Sequence, residues 1–354
     1  MGPGSRRTSR TAVSRGGALP QGAFRGTSHP GVPHVKTGIG SRRLRRAAVS
    51  LVTGGAMLLG GTLAAAPAHA APVNNSPGRP VAAVPPPLKS VTSPGIAAKG
   101  GFVMESDNGR TTFSKAADTR RPTGSTTKVM TAKVVLSQPN LNLDAKVTIQ
   151  QAYKDYVVKK GASSANLVVG DKVTVRQLLH GLMLPSGCDA AYALADKYGT
   201  GTTRDARVKS FIGKMNTTAK NLGMTNTHFD SFDGISNGSN YSTPRDLTKL
   251  ARDAMKNSTF RSVVKTKSYT AKTVTKSGST RTMATWKNTN PLLGSYSGAT
   301  GVKTGSGQVA GYCLVFSATR NGKTVIGTVL ASTSSAQRTT DATRLLNHGF
   351  ARLG

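Results

Sequence analysis

The sequence predicts a mixed α/β (α+β) fold: an antiparallel sheet built from both ends of the folded chain, flanked by helices, with an all-helical part inserted between. Three observations predict it. Asp107-Asn108-Gly109 is a tight-turn signal between the strand-like runs 102–105 and 111–114. Asn321-Gly322 is another, between the apolar, β-branched runs 312–319 and 324–332 near the other end. Between them, apolar residues keep helical spacing, as in Val208, Phe211, Ile212, Met215, Ala219 and Leu222 before Gly223. The order is therefore strands, helices, strands and a last helix, and a cleft is expected where the two parts meet.

The chain begins with a segment that is not part of this fold. It has 354 residues, 48 Lys and Arg against 14 Asp and Glu, a formal charge of +34, 37% hydrophobic residues and two cysteines. These figures exclude a disulfide-stapled miniprotein and a disordered polycation. Ten of the basic residues and none of the acidic ones fall in 1–70, so the other 284 residues keep +24 of the charge. Arg42-Arg43-Leu44-Arg45-Arg46 precedes an apolar run over 47–66 and the small-x-small site Ala68-His69-Ala70, the pattern of an export signal over 1–70. A retained membrane anchor is the competing reading, and Gly54, Gly55, Gly60, Gly61 and the cleavage site favour removal. A secreted, extracytoplasmic, wall-associated protein is expected.

Residues 71–95, with Pro85-Pro86-Pro87, read as a flexible Pro-rich segment, and 96–354 as one folded domain. Its sheet part is expected at about 96–137 and 270–354 and its helical part at about 138–269. Within it, Thr174 with Gln177 makes a capping box, Thr243-Pro244 opens a helix, and a terminal helix is expected over about 340–349. Basic residues are scattered and aromatics are only 5%, which favours anionic wall polymers over nucleic acid as an electrostatic partner. A monomer is expected.

Three short motifs give the cleft a chemistry. Ser125-Thr126-Thr127-Lys128 precedes the apolar Val129, Met130, Val134, Val135 and Leu136, so Ser125 sits in the first turn of a buried helix. Helical spacing puts Ser125 and Lys128 on one face, where a desolvated lysine serves as base and free backbone N–H groups favour an oxyanion. Ser186-Gly187-Cys188, before a helix over 189–198, holds a hydroxyl on a turn where it relays a proton. Lys303-Thr304-Gly305-Ser306 leads into the C-terminal strands, where an edge strand with a cation, hydroxyls and a bare glycine suits a peptide ending in a carboxylate. Each motif alone is weak. Ser262-Val263-Val264-Lys265 also fits the first pattern and reads as an ordinary solvated stretch, while Ser106-Asp107-Asn108 and Lys36-Thr37-Gly38 are out of order.

In order and roles the three motifs resemble the S-x-x-K, S-D-N and K-T-G of serine β-lactamases and penicillin-binding proteins, with Ser186-Gly187-Cys188 standing in the second place. The chain resembles the low-molecular-mass serine penicillin-binding proteins of peptidase family S11, the D-alanyl-D-alanine carboxypeptidases and DD-transpeptidases. Within that family it looks most like the short secreted DD-transpeptidases of actinomycetes, which share the Ser-Gly-Cys version of the second motif. The resemblance runs from about residue 96 to 353 and includes Ser231-Phe232-Asp233-Gly234, Asn240-Tyr241-Ser242-Thr243 and Gly311-Tyr312-Cys313-Leu314. It implies a serine β-lactamase/DD-peptidase-like fold and, as substrates, peptidoglycan stem peptides ending in D-Ala-D-Ala, with β-lactams as inhibitors and no cofactor. It further implies that Ser125 is acylated, Lys128 is the base and Ser186 shuttles the proton. Lys303 shapes the field, Thr304 or Ser306 binds the terminal carboxylate, and the N–H groups of Ser125 and Ser306 form the oxyanion hole. Arg338 resembles the family's arginine near that subsite, beside the plain reading of a surface arginine near a helix start.

The usual Asn of the second motif is Cys188 here, which puts substrate preference in question and, by resemblance, leans toward transfer to an amine over hydrolysis. A cysteine-hydrolase reading lacks a base, since His180, His228 and His348 lie in unrelated contexts. Unpaired buried thiols are favoured over a Cys188–Cys313 disulfide, and no metal-binding cluster stands out. A class A β-lactamase deacylates through a glutamate after the second motif, and the only glutamate of this chain is Glu105. A non-catalytic wall-binding protein is favoured by charge alone.

Overall fold

The computed structural model describes residues 85–354. The export signal over 1–70, the first part of the Pro-rich segment and Lys36-Thr37-Gly38 lie outside the described residues.

The elements follow in chain order as β1 (Gly100–Glu105), β2 (Thr111–Lys115), α1 (Lys128–Leu136), β3 (Lys146–Thr148), α2 (Gln151–Lys160), β4 (Lys172–Thr174) and α3 (Val175–Met183). The helical stretch continues with α4 (Cys188–Tyr198), α5 (Arg204–Asn221), α6 (Pro244–Ala254) and α7 (Ser258–Lys265). Short strands β5 (Ser268–Tyr269), β6 (Lys272–Val274), β7 (Thr280–Thr282) and β8 (Trp286–Lys287) precede α8 (Leu292–Ser295). The chain then enters β9 (Ala299–Gly307), β10 (Gly311–Arg320), β11 (Lys323–Ser332) and α9 (Ser335–Leu353).

The main sheet is antiparallel and five-stranded, in the order β2-β1-β11-β10-β9. Three hairpins join consecutive strands in it, β1–β2, β9–β10 and β10–β11. Asn321 and Gly322 both take positive φ (49° and 74°), as a two-residue hairpin with matching twist requires. The two ends of the chain close the sheet together, with Phe102 opposite Thr328 across β1 and β11. Strand periodicity divides the core. Val103, Phe113, Leu314, Phe316, Val325 and Val329 pack with Ala342, Leu345 and Leu346 of α9. Their alternates Phe102, Met104, Val315 and Ile326 join the core that α1 and the helical part share on the other face. β9 is left as an edge strand on the cleft side.

The local signals of the helical part hold. Thr174 and Gln177 form a reciprocal capping box at α3, and Thr243 caps α6 with Pro244 at its first position. Two expectations need correction. The inserted part is not all-helical: β3, β4, β6 and β7 make a second, four-stranded sheet, so residues 272–282 belong to it and not to the main sheet. Its strands are three residues long, as in Lys146-Val147-Thr148 with only Val147 buried, too short to show an alternation in sequence. The last helix is also longer than expected. Ser334 caps it six residues before the run at 340 begins, its Oγ accepting from the Gln337 N–H at 3.0 Å. Gly349 lies inside the helix because it packs against Val325, where an added Cβ would come within 2.7 Å.

Candidate active site

The first motif forms a 3₁₀ turn, Gly124–Thr127, that runs directly into α1. Side chains three apart eclipse in a 3₁₀ turn, which places Ser125 over Lys128. The Lys128 Nζ donates to Ser125 Oγ at 2.9 Å, and also reaches Cys188 Sγ at 3.3 Å and the main-chain carbonyl of Asp233 at 3.1 Å. The lysine is fully buried and α1 is buried on nearly every side, so this amine has no solvent to compete with these partners. A polar network fixes the turn from behind: Thr123 and Thr127 hydroxyls meet at 2.8 Å, and Asn240 Nδ2 donates to both.

The second motif ends α3 and starts α4. Ser186 adopts φ 65°, a conformation costly for a residue with a side chain, which holds it on the cleft wall. Its Oγ is buried and hydrogen-bonds to no other described residue. Cys188 opens α4, and its N–H donates to the Ser163 carbonyl at 2.8 Å. The third motif lies on edge strand β9 directly across from the nucleophile turn. Gly124 takes φ 51° and has its missing Cβ position 2.9 Å from Ser306 O, while that of Gly305 lies 2.7 Å from Thr123 O. Only glycines let these two backbones approach so closely. Thr304 Oγ1 is hydrogen-bonded to Thr289 Oγ1 at 2.6 Å.

Two buried lysines dominate the electrostatics. Burial, reinforced by the neighbouring Lys128 and Arg338, holds the Lys303 amine well below the usual lysine range. Its Nζ donates to Thr304 O at 3.1 Å. Burial also pushes up the Cys188 thiol, with Lys128 opposing and the Asp233 charge adding to the rise, which makes it a poor thiolate nucleophile. Arg338 is not a surface residue. It lies in the first turn of α9, donates from Nη1 to Gly305 O at 3.3 Å and from Nη2 to Ser335 Oγ at 3.0 Å, and is lowered in pKa by burial.

All nine nominated residues meet at one cleft of about 830 Å³. Ser125, Ser186, Cys188, Thr304, Gly305, Ser306 and Arg338 line it, and Lys128 and Lys303 lie beneath. The out-of-order matches lie elsewhere: Ser106, Asp107, Ser262 and Lys265 line a separate cavity of about 550 Å³. There Lys265 is exposed and does not bond Ser262. Both cysteines are buried and unpaired, and among the described residues no group of acids, histidines and cysteines could hold a metal. Sequence reading missed Ser163, Tyr156 and Asp233, which stand around Cys188 and Lys128. No spacing rule announces them, because they arrive from α2 and two loops.

A family described as D-alanyl-D-alanine carboxypeptidase, peptidase S11, matches residues 88–334. A D-alanyl-D-alanine carboxypeptidase of Streptomyces sp. (strain K15) is 69% identical over 309 residues, 87% of this chain and 99% of that protein. One of Bacillus subtilis is 29% identical over 259 residues, and there the chain spans about three fifths (62%) of the relative. The crystal structure of the Streptomyces K15 DD-transpeptidase superposes with a TM-score of 0.73 at 77% identity, covering 74% of this chain and all of that one. Its fold is the one described above. The chain belongs to the peptidase S11 family of D-alanyl-D-alanine carboxypeptidases.

Proposed function

We propose that the protein is a penicillin-sensitive serine DD-transpeptidase and D-Ala-D-Ala carboxypeptidase that works on peptidoglycan stem peptides. The observation that carries this is the buried Lys128 amine 2.9 Å from Ser125 Oγ, at the floor of a cleft closed by the Lys303–Ser306 strand. In this reading Ser125 Oγ bonds to the carbonyl carbon between the two D-alanines and its proton passes to Lys128. The oxyanion lies toward the N–H groups of Ser125 and Ser306, where loss of one donor costs about 2.7–4 kcal/mol. The C–N bond then breaks as Lys128 returns its proton through the Ser186 hydroxyl to the departing D-alanine nitrogen, and the acyl ester passes to an amine or to water. Lys303, Thr304, Ser306 and Arg338 hold the terminal carboxylate.

Cys188, in contact with Lys128, supports transfer to an amine as the favoured outcome. Glu105 supports slow deacylation of penicillin: the chain's sole glutamate is tied to Arg110 at 2.9 Å on β1 and does not line the cleft. The leader and the net charge support export and adsorption to anionic wall polymers. The test is release of D-alanine from a peptide ending in D-Ala-D-Ala, with and without a glycine-like amine. The protein releases D-alanine and joins the acyl group to the amine, and the Ser125→Ala variant does neither. No release by the folded parent defeats the reading, and hydrolysis alone defeats the preference for transfer.

A further inference from the structure

The separate cavity of about 550 Å³ lies where α6 and α7 meet the far end of the main sheet. Arg252, Lys256, Arg261 and Lys265 line it, with Asp107 as the only acid in its wall. Arg252 is fixed in place, its guanidinium donating to the main-chain carbonyls of Ser106 and Asp107. Arg261 donates from Nη1 to the carbonyls of Met255 and Lys256, each at 2.8 Å. Among the described residues no carboxylate pairs with Arg252, Arg261 or Lys265, and Lys256 shares Asp253 with Lys133. Ser262, Thr300, Thr319 and Thr324 add hydroxyls to the wall. A second cavity of about 430 Å³ shares Arg252 and Lys256 with the first and adds Arg245 and Lys249. Along α6 and just beyond it these four cations follow at spacings of four, three and four, the repeat of one helix face. Asp118 compensates Arg245 and Asp246 compensates Lys249, so the uncompensated charge is concentrated at the first cavity.

We propose that this tract binds a phosphodiester-linked polyol of the wall, with phosphates on the cations of α6 and α7 and polyol oxygens on the threonines of β9, β10 and β11. This rests on the reading that the protein adsorbs to anionic wall polymers, and it names the surface that does so. A repeating anion matches the row of cations: positions 245 to 256 span about 16 Å of helix, more than one phosphate covers. Thr300 and Ser306 stand near opposite ends of β9, about 20 Å apart, so polymer held here leaves the cleft open to stem peptides. Other occupants fit less well. Glu105 is the first acidic residue of the chain, so the segment before β1 brings no negative side chain, and a second copy brings the same positive excess. No aromatic ring lines the first cavity, and Phe102 in the second lies under the Arg245 guanidinium, 4.4 Å from the ring centroid. Nucleic acid therefore finds no stacking platform. The exposed large apolar side chains among the described residues, Val158, Val169, Val309 and Tyr312, lie elsewhere, so a membrane finds no apolar anchor in the tract.

The test is binding of the full chain to fluorescently labelled poly(glycerol phosphate), followed by anisotropy in about 50 mM salt, where screening is weak. Two triple variants lose the same charge. Lys256→Gln/Arg261→Gln/Lys265→Gln empties the tract, and Lys154→Gln/Lys172→Gln/Lys276→Gln removes three exposed lysines outside it. One unit charge about 4 Å from a phosphate is worth roughly fivefold in water, so the tract variant binds about 100-fold more weakly. The control variant stays within about threefold of the parent, because its charges lie beyond a screening length from the polymer. Acylation by a labelled penicillin runs at the parental rate in both, which shows that fold and cleft are intact. If loss of the Arg261 contacts disturbs the fold, Lys256→Gln/Lys265→Gln carries the expectation at about 25-fold. Equal losses in the two triple variants would mean that overall charge alone does the binding, and the tract is overturned while adsorption stands. A parent that does not bind the polymer removes adsorption itself, and both readings fail. Tighter binding of the parent to single-stranded DNA or to vesicles of anionic lipid than to poly(glycerol phosphate) overturns the assigned partner.

Discussion

Replacing Gly305 by alanine probes the contact on which the site depends. Gly305 has ordinary strand backbone, so alanine brings no conformational penalty of its own. The cost is space. The added methyl would sit 2.7 Å from Thr123 O, 3.0 Å from Thr126 N and 3.1 Å from Thr126 Cγ2, all in the nucleophile turn. Ordinary contact begins near 3.4 Å, so β9 and the turn must separate by about 0.3–0.7 Å. Overpacking of this kind costs about 1–3 kcal/mol, which lowers Tm by several degrees. The same shift moves Ser306 away from Ser125, and misplacement approaching 1 Å costs up to about 100-fold in rate. Stopped-flow acylation by a fluorescent penicillin should therefore slow at least tenfold, beyond what the loss of stability explains. Parental rate and parental Tm in Gly305→Ala would show that the strand and the turn are not packed as described.

Gly213→Ala is the counterpart, since Gly213 lies inside α5 with nothing within 4 Å of the added methyl; it should raise stability by about 0.5–1 kcal/mol in urea titration and leave acylation unchanged. Asp189→Ala strands the buried N–H groups of Ala165 and Leu167, so chemical denaturation should report a loss of about 3 kcal/mol or more, with the 161–167 rim opening first in hydrogen exchange. Lys303→Met should abolish acylation yet raise stability by about 1–3 kcal/mol near neutral pH, because an amine is no longer buried. The sign with pH follows from the lowered Lys303 pKa: the unfolded chain keeps this proton up to about pH 10.4 while the folded protein releases it earlier, so parental stability rises with pH through that window. The advantage of Lys303→Met should therefore shrink as pH approaches 10, and a constant difference would mean that the folded amine is not depressed.

The parts of the molecule that could be read from sequence are those with a local physical cause. The Asn321-Gly322 turn, the Thr174–Gln177 box and the Thr243-Pro244 helix start are each decided within a few residues, and each formed as expected. The motifs were legible for the same reason, since three residues of helix bring Ser125 to Lys128 wherever the helix lies. What escaped depends on distant partners. Gly349 looked like a helix end, but Val325 from another element explains why glycine is there. Val147 and Val173 form strands because they pair with each other across the second sheet. Arg338 could be a surface cap or a cleft residue on sequence alone, and the Gly305 carbonyl on β9 decides it. Asp233 and Tyr156 share no motif, and only folding brings them to Lys128.

The decisive measurement is peptide mapping by mass spectrometry after incubating the purified, folded protein with a labelled penicillin. One penicilloyl group should be found, on Ser125, and none should form in Lys128→Ala over the same period. Label on another residue, on Cys188 for instance, or no label at all, would contradict a site built on the Ser125–Lys128 pair.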